Sequence, residues 1–169
     1  MLIREARPGD AAQLIELITC LSEETDVDVP LAPGEFLLTV EEEEKILADY
    51  AASDNSIFLV SEEAGQIVGS LTLRGGARKA LHHAATLGMN VRRDRRNQGI
   101  GSQLLQAAMD WARHNTVLKR VELYVYARNQ RAVHLYQKHG FEIEGRRRGA
   151  IFQNGEYLDD LIMAVLLDG

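Results

Sequence analysis

Val91-Arg-Arg-Asp-Arg-Arg96-Asn-Gln-Gly99-Ile-Gly101-Ser-Gln-Leu-Leu105 reads as the end of a buried strand, a basic loop, and glycines that open a helix. Unpaired N–H groups and the positive end of the macrodipole collect at a helix N-terminus. Glycines there let the backbone come close to a phosphate. Arg92, Arg93, Arg95 and Arg96 can add charge-assisted contacts. A pyrophosphate suits this combination. The dinucleotide fingerprint G-x-G-x-x-G needs glycine where Leu104 stands, and no lysine follows either glycine in P-loop register, so both motifs are absent. Taken alone, the same glycines also suit a plain turn beside a solvated basic loop.

Outward from this stretch, period and punctuation give the other elements. Toward the N-terminus, Leu2 to Ala6 is a strand, and Asp10 with Gln13 reads as a capping box for a helix reaching about Leu21. Ser22 to Pro33 is an acidic, proline-bearing loop, and Thr39 with Glu42 opens a second helix toward Ala52. Ile57 to Val60 and Ile67 to Leu73 are strands joined by a turn at Glu63-Ala64-Gly65, and Ala84 to Val91 is the next strand. Past the glycines, Ile100 to Ala112 is strongly amphipathic and Val121 to Tyr126 alternates as a strand. Asn129 to His139 is a helix ended by Gly140, and Phe141 to Glu144 and Leu161 to Leu166 close the chain as strands. The order βααβββαβαββ predicts an α/β fold with helices crossing over a sheet.

The 169 residues contain no linker-like tract, so residues 1–169 read as one domain. Lys+Arg number 19 against 25 Asp+Glu, a net charge of −6, which argues against a nucleic-acid partner. No run approaches the roughly 20 apolar residues of a membrane span, and Met1 to Asp10 has no signal-like apolar run. One cysteine forbids an intrachain disulfide and fits a reducing, cytoplasmic setting. Cys20 itself reads as a half-buried structural thiol. His82-His83 is a poor metal pair if it lies on a strand, where neighbours point to opposite faces, and no metal is expected.

Two blocks together resemble a known family. Arg96-Asn97-Gln98-Gly99-Ile100-Gly101 is similar to the central [Q/R]-x-x-G-x-[G/A] motif of the GNAT superfamily of acetyl-CoA-dependent N-acetyltransferases. Asn129-Gln130-Arg131-Ala132-Val133-His134-Leu135-Tyr136, followed by Gly140-Phe141, resembles the family's N-x-x-A-x-x-L-Y-x-x-x-G-F. Ile3-Arg4 through Pro8-Gly9-Asp10 is also typical, so the resemblance runs over nearly the whole chain.

The resemblance implies a mixed, mostly antiparallel sheet that splays at an acetyl-CoA cleft and is flanked by helices. Thr86 to Val91 and Val121 to Tyr126 would be the splayed strands. Met89, Asn90 and Val91 would line the pantetheine arm, with the Met89 N–H donating to the thioester oxygen. Backbone N–H groups from Arg96 through Asn97, Gln98, Gly99, Ile100 and Gly101 to Ser102 would hold the pyrophosphate. An arginine of the 92–96 loop would reach the 3′-phosphate, and Asn129 would bond the pantetheine arm. Tyr136 stands where the family places the proton donor to the leaving thiolate, and it also suits a core position on an amphipathic helix. A neutral amine is needed for attack, but a family base position maps to Ala85, which cannot titrate. Glu122 and His83 remain as candidate bases, and Glu122 also reads as a solvent-facing or sheet-covering glutamate. Arg146-Arg147-Arg148 reads as a solvated rim. Glu23, Glu24, Asp26, Asp28 and Glu35 form an acidic loop on the acceptor side, suited either to steering a cationic amine or to plain solubility. The implied activity is transfer of acetyl from acetyl-CoA to a primary amine, a small amino compound or a protein N-terminus, by direct attack in a ternary complex. The alternative is a CoA-holding sensor or scaffold with weak turnover. A homodimer fits either.

Overall fold

The computed structural model describes residues 1–24 and 28–167; Asp26 lies outside them. Eleven elements follow in the expected order: β1 (Leu2–Glu5), α1 (Ala11–Ser22), α2 (Val40–Ala51), β2 (Ile57–Glu63), β3 (Gln66–Gly75), β4 (Ala84–Val91), α3 (Ile100–His114), β5 (Arg120–Tyr126), α4 (Gln130–Lys138), β6 (Glu142–Gln153) and β7 (Glu156–Leu166). They build one seven-stranded sheet in the order β1-β2-β3-β4-β5-β7-β6. Every pairing is antiparallel except β4 with β5.

Side-chain alternation divides the core between the two faces. Leu59 and Leu71 pack with Leu104, Leu105 and Val133, so α3 and α4 cover one face. The neighbour of Leu59, Val60, packs instead with Leu14, Leu17 and Leu47, so α1 and α2 cover the other. No described helix is long and apolar enough to cross a membrane.

Two local expectations need correction. Asp10 precedes α1 but does not cap it. Its carboxylate accepts from Arg4 Nη1 (2.7 Å), Arg4 Nη2 (2.9 Å) and the Arg7 N–H (2.8 Å). Gln13 turns to the sheet, where its Oε1 accepts from the Ile67 N–H (2.9 Å). The second correction is that β6 and β7 form a hairpin of twelve- and eleven-residue strands in place of two short ones.

The Arg4 bond holds the Asp10 carboxyl below its ordinary range. A lowered pKa stabilises the fold above the unfolded-state value, and that stabilisation is lost as pH falls through the folded one. Asp10→Asn is therefore expected to cost about 2 kcal/mol at neutral pH. Urea midpoints for variant and wild type should converge at acid pH.

Candidate active site

β4 and β5 pair only at Ala84–Arg120, Ala85–Val121 and Thr86–Glu122. β4 continues to Val91 and β5 to Tyr126, so the two strands part beyond Thr86. On the β3 side the ladder is continuous, and its hydrogen-bonded pairs can be assigned. Gly76 N–H donates to Ala84 O (2.9 Å) and Arg92 N–H to Val68 O (2.9 Å), in register with the pairs between them. Even-numbered β4 residues therefore bond β3, and by alternation Leu87, Met89 and Val91 turn their N–H and C=O groups toward the gap. Asn90, being even, has its backbone on β3. The gap opens into a cleft of about 580 Å³ reached by Met89, Val91, Gly101 and Asn129.

At the mouth of the cleft α3 begins. Gly99 is its N-cap at φ 81°, a left-handed conformation that favours glycine, and it offers no side-chain cap. The N–H groups of Ile100, Gly101 and Ser102 are thus left to an external acceptor. Asn97 and these three residues line the cleft, whereas Gln98 turns aside, its Nε2 donating to Asp94 O (3.0 Å).

The loop arginines are largely occupied. Arg92 donates to both carboxylate oxygens of Asp94 (2.7 and 3.0 Å). Arg95 lies 3.2 Å from Glu63, and Arg93 is engaged as well. Arg96 grips Glu24 with both terminal nitrogens (2.6 and 2.8 Å) and donates from Nε to Val91 O (3.0 Å).

On the far wall, Asn129 Oδ1 caps α4 by accepting from the Ala132 N–H (3.1 Å), which leaves its Nδ2 to donate into the cleft. Tyr136 is 8% exposed and packs edge-on against Phe141 at 5.8 Å. Burial pushes its phenol pKa up to about 12, so it holds its proton at neutral pH. Ser102 Oγ and His139 Nε2, 3.3 Å apart, tie α3 to the end of α4, and burial lowers the His139 pKa.

The two candidate bases fall in different places. Glu122 sits in the last pair before the strands part, on the face away from α3 and α4, and accepts from Arg120 Nε (2.9 Å). His83 is exposed, before β4 and six residues from Met89, or roughly 20 Å along an extended chain. Ala85 and Leu87 are buried. His82 is not on a strand; it follows a short 3-10 turn and bonds Asp54 (3.2 Å) and Asn55 (3.0 Å).

A second cavity of about 560 Å³ lies between the loop after α1 and the β6–β7 hairpin, bounded by Glu23, Leu31, Glu35 and Phe152. The acidic loop is partly neutralised there: Glu24 binds Arg96, Asp28 binds Arg128 (2.8 Å), and Glu35 accepts from the Ala32 N–H (2.8 Å). Arg146, Arg147 and Arg148 lie exposed on the edge strand β6, as a solvated rim would, and two of them are ion-paired. Arg146 bonds Asp159 (2.7 Å), while Arg147 binds the buried Asp160 and lies over the Tyr124 ring. Cys20 is exposed, not half-buried.

Residues 3–162 match the model of the acetyltransferase (GNAT) domain, and the chain belongs to that family. An L-amino acid N-acetyltransferase of Escherichia coli K12, AaaT, is 35% identical over 100 residues, which are 59% of this chain and 62% of that protein. The match thus spans less than two thirds of that relative's length. A GNAT-family acetyltransferase from Streptococcus pneumoniae superposes with a TM-score of 0.94 at 40% identity over 99% of both chains. The structure of yncA from Salmonella typhimurium with its cofactor acetyl-CoA shares the fold, at a TM-score of 0.86 and 19% identity over 100% of this chain and 95% of that one.

Proposed function

We propose that this protein transfers the acetyl group of acetyl-CoA to a primary amine, by direct attack within a ternary complex. The observation that carries the reading is the parting of β4 and β5 beside a helix start with no side-chain cap. The fit is chemical: an extended, amide-bearing arm matches the β4 backbone turned into the gap, and a pyrophosphate matches the N–H groups of residues 100–102. Acetyl-CoA supplies the thioester-activated acetyl group. AaaT, by its name, acts on L-amino acids, and a small amino compound or a protein N-terminus is the acceptor class proposed here.

The chain's own groups then have distinct tasks. The Met89 N–H, turned into the gap, donates to the acetyl oxygen and stabilises negative charge there. Val91 contributes its N–H, and its carbonyl already accepts one bond from Arg96 Nε. Asn129 Nδ2 orients the amide arm. The Tyr136 hydroxyl holds the proton that the departing sulfur takes up. Glu122, where the strands part, accepts the proton of the attacking amine, and Arg120, shared with Glu144, keeps that carboxylate in place.

Glu122→Gln is expected to lower kcat at neutral pH by about 10²-fold and to move the pH optimum upward, since the amine must then lose its proton unaided. His83→Ala should leave the profile unchanged; a shift in His83→Ala alone would transfer the role to His83. One observation favours a CoA-holding module without turnover: the β4 wall offers only Ala85 and Leu87 where a base might stand. Free-thiol release from acetyl-CoA across a panel of amino acids, polyamines and peptides separates the two. Release that depends on the amine is the expected result.

A further inference from the structure

The cations around the cleft fall into two sets. Arg95 and Arg96, on the loop, face Glu63 and Glu24. Arg131, His134 and Lys138, on α4, also line the cleft. Among the described residues, the side chains of these three make no hydrogen bond or ion pair.

Their spacing is i, i+3 and i+7, which places them on one face of α4, with Arg131 and Lys138 about 10 Å apart along the axis. Both side chains are long enough to converge on a single group lying over His134. This face is fixed against the phosphate end of the cleft. Leu135 Cδ2 lies 3.8 Å from where a Cβ on Gly101 would sit, and His139 meets Ser102 at 3.3 Å. Two cations, Arg131 and Lys138, with an imidazole between them, therefore stand beside the uncapped start of α3, in a chain whose net charge is −6. Such a chain repels a polyanion unless the charge is positive locally.

CoA carries one phosphate beyond its pyrophosphate, the 3′-monoester, which is close to a dianion at neutral pH. The geometry points to α4 as its seat: Arg131 and Lys138 hold the 3′-phosphate, with His134 between them. The inference rests on the acetyl-CoA reading of the cleft. It departs from the expectation that the 92–96 arginines take this role, because those guanidiniums already have partners. Arg92, Arg95 and Arg96 each already face a carboxylate that a phosphate would have to share, whereas Arg131 and Lys138 face none.

Calorimetric titration with CoA and with dephospho-CoA tests the assignment. Wild type should prefer CoA by roughly tenfold to hundredfold, as charge-assisted bonds to one phosphate would give. Arg131→Ala/Lys138→Ala should bind both ligands equally, with dephospho-CoA affinity unchanged from wild type, and Arg95→Ala should keep the wild-type ratio. A wild-type preference retained in the double variant, or no preference in wild type, overturns the inference while leaving the cleft as the CoA site. Wild type that binds neither ligand overturns the acetyl-CoA reading, and this inference with it. Circular dichroism of the double variant checks that α4 persists.

Discussion

Tyr136→Phe is expected to lower kcat by roughly 10²–10⁴-fold, the usual worth of a positioned general acid. Acetyl-CoA affinity should barely change, because the hydroxyl acts on a sulfur that becomes basic only as the thioester breaks. The ring and its edge contact with Phe141 remain in the variant, so stability should fall by no more than about 1 kcal/mol. A phenol pushed up to about 12 stays protonated across the working range, so its hydroxyl is always available to donate to the developing thiolate. A thiol is the stronger acid, with an ordinary pKa of about 8.5, so the proton moves only as collapse of the tetrahedral intermediate drives the step, and solvent restores the phenol. An unchanged kcat, with chemistry rate-limiting, would leave Tyr136 a core residue and hand the proton to water.

The second large effect is expected at Gly101. A Cβ there would stand 3.4 Å from Met89 Cε and 3.8 Å from Leu135 Cδ2, ordinary contacts with flexible side chains. Asp is also tolerated in the first turn of a helix, where the macrodipole favours an anion. Gly101→Asp should therefore fold. Its carboxylate would occupy the phosphate seat and repel the ligand's own charge, so acetyl-CoA binding should fall below detection in calorimetry. Wild-type affinity in this variant would remove the phosphate-loop assignment.

Sequence order and period carried most of the fold. The capping box of α2 is present as its residues suggest, with Glu42 N–H donating to Thr39 Oγ1 (3.2 Å) and Thr39 N–H to Glu42 Oε2 (2.9 Å). The β6–β7 hairpin was legible in one signal that its surroundings hid. Asn154-Gly155 adopts positive φ at both residues (53° and 80°), as an Asn-Gly hairpin turn requires. The strand before it shifts register between Ile143 and Gly145 and again between Arg147 and Ile151, so no clean alternation survives in the sequence.

The same limit applies to the site. Short motifs mark Gly99, Gly101, Asn129 and Tyr136 because the roles proposed for them depend on local backbone or helix position. Arg96 and Glu24 are 72 residues apart, and nothing in either segment announces the pair. The α4 cations sit at regular spacing, but only the contacts of Leu135 and His139 with α3 reveal which way that face points. Glu122 gained its place from strand register, which a single sequence does not supply.

The central claim is acetyl transfer by direct attack of an amine. It is tested most directly by initial rates of thiol release with acetyl-CoA and an accepted amine varied together. Direct attack in a ternary complex predicts no release without amine and double-reciprocal lines that intersect. Parallel lines, the signature of a covalent acetyl-enzyme, would contradict direct attack, and a lack of amine-dependent release with every amine tested would contradict acetyl transfer itself.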